Sequence, residues 1–102
     1  MLKLVLYSRI GCCLCQGLET KLRTIFLQNL LPDIQLIVKD IDGKDITDIE
    51  RTRYSMEVPV LLLKSKKLEQ SFELPRVSPR LNQHALLDWL NKNIKGKIKR
   101  IN

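Results

Sequence analysis

The stretch Leu2-Lys3-Leu4-Val5-Leu6-Tyr7-Ser8-Arg9-Ile10-Gly11-Cys12-Cys13-Leu14-Cys15 decides how the whole chain is read. Residues 2–7 are apolar but for Lys3 and end at Ser8-Arg9-Ile10-Gly11, the pattern of a short buried strand. Beyond the cysteines, Leu14, Leu18, Leu22, Ile25 and Phe26 recur at helical spacing up to Leu30, and Pro32 stops the pattern. Gln16, Glu19, Thr20 and Arg23 fill the opposite side. The cysteines therefore sit where a strand hands over to the N-terminus of a long amphipathic helix.

That position has chemical consequences. The thiolate is the reactive form of cysteine, and its pKa falls beside unpaired helix N–H groups and positive charge. Cys12 lies at such a terminus, and Arg9 in the preceding loop adds positive charge. A spacing of three residues on a helical turn brings Cys15 back under Cys12, within reach of a disulfide. Cys12 would attack a substrate disulfide, and Cys15, nearer the core, would resolve the mixed disulfide. The bland reading is three small buried hydrophobes, which a loop–helix junction beside Gly11 and Arg9 disfavours. A zinc site would want four ligands, and neither a second C-x-x-C nor a histidine pair exists, so no metal is expected. His84 stands alone on a polar helix start and reads as a surface or capping residue. An iron–sulfur cluster shared between two chains stays open. Cys13 is either a tolerated exposed thiol or a third participant, capped by glutathione or acting as an alternative resolving thiol.

Outward from this stretch, Ile34 to Val38 reads as a second strand and Asp40-Ile41-Asp42-Gly43 as a turn. A short helix follows, with Ile46, Ile49 and Tyr54 facing inward. Val60 to Leu63 is a third strand, Ser65-Lys66-Lys67 a turn, and Leu68 to Leu74 a fourth strand closing a hairpin. A loop from Pro75 to Leu81 leads to a last helix capped by Asn82, with Ala85, Leu86, Trp89, Leu90 and Ile94 on one face and Gly96 ending it. The order is βαβαββα. The first strand–helix–strand unit implies a parallel pair with a right-handed crossover. The expected architecture is α/β, a mixed four-stranded sheet with helices on both faces, in one domain over residues 1–95 followed by a basic tail, 96–102. Tyr7, ending the first strand, is expected to pack its ring with the hydroxyl near the sulfurs.

Composition is consistent with this. The chain has 102 residues, 44% hydrophobic and 28% charged, ordinary values for one globular domain. No apolar run approaches the ~18 residues of a membrane span, and the N-terminal stretch reads as a strand, not a signal peptide. All three cysteines fall within residues 12–15, so they staple nothing distant as a secreted scaffold would, and a reducing, cytoplasmic setting is expected. The net charge of +7 owes much to Lys92, Lys95, Lys97, Lys99 and Arg100. This run reads as a solvated tail or as steering toward an acidic protein partner. Nucleic acid is not expected as a partner, because no aromatics interleave with these lysines. The chain is expected to be a monomer.

Val58-Pro59 opens the third strand. It reads either as an ordinary strand-opening proline or, preferred here, as a cis peptide that exposes the Val58 main chain to an extended substrate.

Taken together, Tyr7-Ser8-Arg9-Ile10-Gly11-Cys12-Cys13-Leu14-Cys15, Asp40-Ile41-Asp42, Arg53-Tyr54 and Val58-Pro59-Val60 resemble the pattern of glutaredoxins, from about residue 2 to residue 94. The match is nearest to small glutaredoxin-like proteins carrying a Gly-Cys-x-Leu-Cys form. The resemblance implies a thioredoxin-like fold, Cys12 as nucleophile, Cys15 as resolving thiol, and Arg9, Val58 and Pro59 as substrate contacts. No cofactor is expected to stay bound, and glutathione is a candidate co-substrate. Two features depart from the pattern. Cys13-Leu14 replaces the proline and tyrosine between the cysteines. The Gly-Gly pair and Asp that hold a glutathione carboxylate are missing from Val77-Ser78-Pro79-Arg80-Leu81-Asn82, where Arg80 is left to meet one.

The expected function is thiol–disulfide exchange on protein or glutathione mixed disulfides. The alternatives are a metal or iron–sulfur binding module, a redox-responsive adaptor without turnover, and a relative of the arsenate reductases.

Overall fold

The computed structural model describes residues 2–65 and 70–101, and for 98–101 the backbone alone. Its centre is strand β1 (Leu2–Ser8), which pairs in parallel with β2 (Ile34–Asp40) and antiparallel with β3 (Val60–Ser65). Strand β4 (Gln70–Glu73) pairs antiparallel with β3, giving the order β2-β1-β3-β4. Helices α1 (Cys13–Leu27), α2 (Asp48–Tyr54) and α3 (Gln83–Ile101) complete the expected βαβαββα order.

Side chains alternate across a strand, so a strand covered on both faces reads as a continuous apolar run. Leu4 and Leu6 of β1, with Leu61 and Leu63 of β3, face α1 and α3 and pack on Leu18, Leu22, Ile25, Leu86 and Leu90. Val5 and Tyr7, with Val60 and Leu62, face the other way and pack on Ile41, Ile46 and Tyr54 around α2. Helices thus cover both faces, two on one and one on the other.

The second face is stitched by polar groups. Tyr7 stacks on Tyr54, their ring centroids 4.7 Å apart. The Tyr7 hydroxyl donates to Glu50 and not to a sulfur, because its ring lies on the face opposite α1. Lys39 Nζ also reaches Glu50, at 3.3 Å. Thr47 and Glu50 form a capping box at the start of α2, Thr47 N donating to Glu50 Oε1 at 2.9 Å and Glu50 N to Thr47 Oγ1 at 3.1 Å. Burial alone would raise the Glu50 pKa, but the hydrogen bonds from Thr47, Tyr7 and Lys39 win and hold it at about 2.

Three local expectations are corrected. Helix α1 ends at Leu27, short of Leu30. Asn29 takes a left-handed φ of 55°, and the Asn29 N–H to Phe26 and Leu30 N–H to Ile25 bonds close a Schellman stop. Ile49 is exposed (79%), because α2 begins only at Asp48 and a helix that turns Tyr54 inward turns Ile49 away. Ile46 does pack inward, from the loop before the helix. Gly96 lies inside α3, which runs on to Ile101. No proline follows Gly96, and its cost of about 1 kcal/mol does not stop a helix already packed on the core. The expected turn at Ser65–Lys67 and the start of the fourth strand at Leu68 lie mostly outside the described residues. Asn82 caps α3 as expected, its Oδ1 accepting the Ala85 N–H at 2.8 Å, and Trp89 packs half-buried against the larger core.

Leu90 is fully buried, so Leu90→Ala should cost about 2–5 kcal/mol in chemical denaturation. Glu50→Gln should destabilise by about 2–3 kcal/mol at neutral pH, given a carboxyl held at about 2 against an unfolded value near ~4.3. A depressed carboxyl stabilises above its unfolded pKa and loses that stabilisation as pH falls through its folded one. The gap between wild type and Glu50→Gln should therefore close between about pH 4.3 and pH 2; a pH-independent gap would show that Glu50 does not titrate as described.

Candidate active site

Strand β1 delivers the chain to the site, and Gly11 turns it. Gly11 has φ +85°, which L side chains rarely adopt. The turn lets Cys12 N–H donate to the Arg9 carbonyl (3.2 Å) and leaves Cys12 as the N-cap of α1. The Cys12 carbonyl accepts the Gln16 N–H (3.0 Å), while its Sγ accepts the N–H of Cys15 (3.2 Å). The sulfur thus occupies the place of a capping oxygen, with the positive end of the helix beneath it and no acidic residue in the first turn.

The two thiols of the motif differ in surroundings. Cys12 is half-buried, Cys13 exposed and Cys15 fully buried, and all three thiols are free. Hydrogen bonding from the Cys15 thiol, and then from the Cys15 and Leu14 N–H groups, lowers the Cys12 pKa, with the Arg9 charge adding to the effect. Burial raises the Cys15 pKa, and donation toward Cys12 raises it further.

Arg9, expected at the substrate, commits its guanidinium within the chain. Nε donates to Asp42 Oδ2 (2.7 Å) and Nη2 to Asp42 Oδ1 (3.2 Å). Nη1 and Nη2 reach the Ser55 carbonyl (3.1 Å) and hydroxyl (2.9 Å). These bonds tie the loop before Cys12 to the loop after β2 and to the end of α2.

The Val58–Pro59 peptide is cis. Pro59 lies across from the first turn of α1, and a cleft of about 160 Å³ opens between them and the loop of residues 76–81. The main-chain N–H and C=O of Val58 bond no other main-chain group among the described residues. Cys13 and Leu14 form one wall of the cleft, Val77 and Pro79 the other, and Leu18 and Leu86 also line it. Lys21 holds the loop in place, its Nζ donating to the carbonyl of Leu81 at 2.7 Å. The arginine lining the cleft is Arg76, not Arg80.

Of the residues singled out in the sequence, Cys13 and Pro59 line this cleft, while Cys12 and Cys15 are the chain neighbours of its lining residues Cys13 and Leu14. Lys21 and Arg76 were not singled out, and Val77 was named only as part of the stretch 77–82. Lys21 falls seven residues after Leu14 and three after Leu18, a spacing that puts it on the same helix face. Nothing local marks Arg76. Among the described residues no group of three or more His, Cys, Asp or Glu is arranged to hold a metal ion, and no helix is long and apolar enough to cross a membrane. His84 is exposed and pairs loosely with Asp88.

Three solved structures share the fold. A malarial protein is 16% identical, covering 91% of this chain and 97% of its own, with TM-score 0.62. Mitochondrial thioredoxin 3 from Saccharomyces cerevisiae, in its oxidized form, is 16% identical over 89% of this chain and 77% of its own, with TM-score 0.61. The poxviral disulfide oxidoreductase G4, essential for cytoplasmic disulfide bond formation, is 12% identical over 90% of this chain and 89% of its own, with TM-score 0.54. The architecture is therefore thioredoxin-like. No curated protein matches the sequence significantly. Residues 3–91 match the family Glutaredoxin-like domain (DUF836), and the chain belongs to that family.

Proposed function

We propose that the protein is a thiol–disulfide oxidoreductase in which Cys12 is the nucleophile and Cys15 the resolving thiol. The observation that carries this reading is the Cys12 sulfur at the N-cap of α1, accepting the Cys15 N–H at 3.2 Å with the buried Cys15 beneath it. Membership of a glutaredoxin-like family supports it.

The Cys12 thiolate attacks one sulfur of a substrate disulfide. A Cys12–substrate S–S bond forms, the substrate S–S bond breaks, and the departing thiolate takes a proton from water. Cys15 then loses its proton and attacks Cys12 Sγ. A Cys12–Cys15 disulfide forms and the second substrate thiolate leaves. The substrate gains two electrons and the protein loses two, and an external thiol reductant restores the dithiol. An extended substrate would pair its main chain with the free groups of Val58, as an added strand does. Protein or glutathione mixed disulfides are the substrates of this reading, with the chain acting as a monomer in the cytoplasm and holding no resident cofactor.

Rate–pH profiles of alkylation, with each cysteine followed by mass spectrometry, should give Cys12 a pKa below the ~8.5 of a free thiol and Cys15 one above it. An order reversed between the two would overturn the assignment of nucleophile. Cys12→Ser should abolish reduction of protein disulfides. Cys15→Ser should slow turnover at least about a hundredfold while trapping the mixed disulfide on Cys12. A Cys15→Ser variant with full turnover would sink the two-thiol mechanism.

A further inference from the structure

The surroundings of Cys12 carry information about the substrate beyond its disulfide. Most long apolar side chains of this protein are buried, yet Ile10 is 85% exposed, Leu14 50% and Met56 94%. All three belong to segments around the thiol. Ile10 and Leu14 flank Cys12 in the chain, and Met56 follows Ser55, which Arg9 grips. Leu27 and Ile49 are as exposed elsewhere, but Ile10, Leu14 and Met56 put exposed apolar surface on the segments next to Cys12 in the chain and on the one that Arg9 holds.

The cleft beside it continues this surface and adds a charge. Its walls are largely apolar, it is also lined by Lys21 and Arg76, and no acidic residue lines it. Lys21 donates to carbonyl oxygens of the loop and so keeps its charge uncompensated by any carboxylate. Arg76 is exposed and has neither an ion-pair nor a hydrogen-bond partner among the described residues. This distinguishes it from Arg9, Arg23, Arg51 and Arg53, each of which pairs with an Asp or Glu. Arg76 also borders an adjoining hollow with Glu57 and Glu73, of which Glu73 pairs with Arg53, but on the side of the cleft no carboxylate faces its guanidinium.

We propose that this cleft selects an extended polypeptide disulfide, seating an apolar residue next to the substrate cysteine and pairing a following carboxylate with Arg76. The inference rests on the thiol–disulfide reading and names its substrate class. The apolar side chain lies between Leu14 and Val77, where it displaces water from both. The carboxylate meets a planar two-pronged donor. The Val58 main chain adds strand-like pairing, which a long peptide satisfies at more than one position. Glutathione is the competing occupant, since it also brings carboxylates, but it offers no apolar side chain for the cleft.

The test uses two peptides, Ser-Gly-Cys-Leu-Glu-Glu-Ser-Gly and Ser-Gly-Cys-Leu-Lys-Lys-Ser-Gly, each as its mixed disulfide with 2-mercaptoethanol, together with glutathione disulfide. Reduction by the wild-type protein is followed with dithiothreitol as electron source. Binding is measured separately, on the same peptides with serine in place of cysteine, by NMR titration read at Leu14, Val77 and Leu81. The acidic peptide should bind more tightly and react with a kcat/KM about fivefold above the basic one at low salt, with the preference fading as salt is added. Arg76→Glu should invert the preference, and Lys92→Glu, an equal charge change on an exposed position of α3, should retain it. Turnover of both peptides at equal rates and equal affinity would overturn the inference and leave the thiol chemistry standing. Glutathione disulfide as the fastest substrate would overturn it too. Selective binding without turnover would uphold the cleft and overturn the redox reading.

Discussion

The hydrogen bond from the Cys15 N–H to the Cys12 sulfur is the interaction on which the site depends, and the fold is arranged to produce it. The sulfur must sit at the N-cap of α1, so the chain has to turn sharply between the end of β1 and the first helical turn. Gly11 takes the left-handed conformation that makes this turn. Strand β1, paired on both sides and covered on both faces, fixes where the turn begins. Leu18, Leu22 and Ile25 fix the direction in which α1 leaves it.

The two faces of the sheet contribute differently. The α1–α3 face carries the larger apolar cluster, with only Ser8 and Ser65 as buried polar residues among those described, and fixes the helix that bears the thiols. The α2 face combines a smaller apolar cluster with the Tyr7–Glu50–Lys39 network and, at its edge, Arg9 between Asp42 and Ser55. Exposed ion pairs contribute little each, up to about 1 kcal/mol. The Arg9 cluster therefore matters less for stability than for geometry: it joins three loops around Cys12 and leaves a positive charge beside the sulfur without presenting it to solvent as a free side chain.

How much of this was legible in the sequence differs by range. Strand β1 and helix α1 have undivided periodicities, and the position of Cys12-Cys13-Leu14-Cys15 between them followed from those alone. Asn82 announced the start of α3 because capping is a matter of three residues. Ile49 was misplaced because a helix of seven residues gives too little pattern to set its phase. The left-handed Asn29 went unseen because Pro32 offered a stronger stop signal nearby. The partners of Arg9 and Tyr7 lie 33 to 46 residues away in the chain, and no local pattern encodes such pairings. The apolar lining of the cleft is written in α1, but Arg76 comes from an irregular loop whose place only the tertiary structure supplies.

The opposite pKa directions of Cys12 and Cys15 share one physical origin and bear on the order of the proposed steps. A proton on Cys15 that points at Cys12 stabilises negative charge there, and the same charge makes that proton harder to remove. Both effects favour the first thiolate at Cys12, the more accessible sulfur, over Cys15. When Cys12 bonds to a substrate sulfur, its negative charge disappears, and with it the repulsion and the hydrogen bond that hold the Cys15 proton. Burial then remains the chief obstacle to ionising Cys15, while the main chain of Arg9 and the Ser8 hydroxyl still favour its thiolate. In the proposed mechanism, forming the mixed disulfide would therefore prepare its own resolution, with Cys15 turned into a nucleophile only once there is a bond for it to attack.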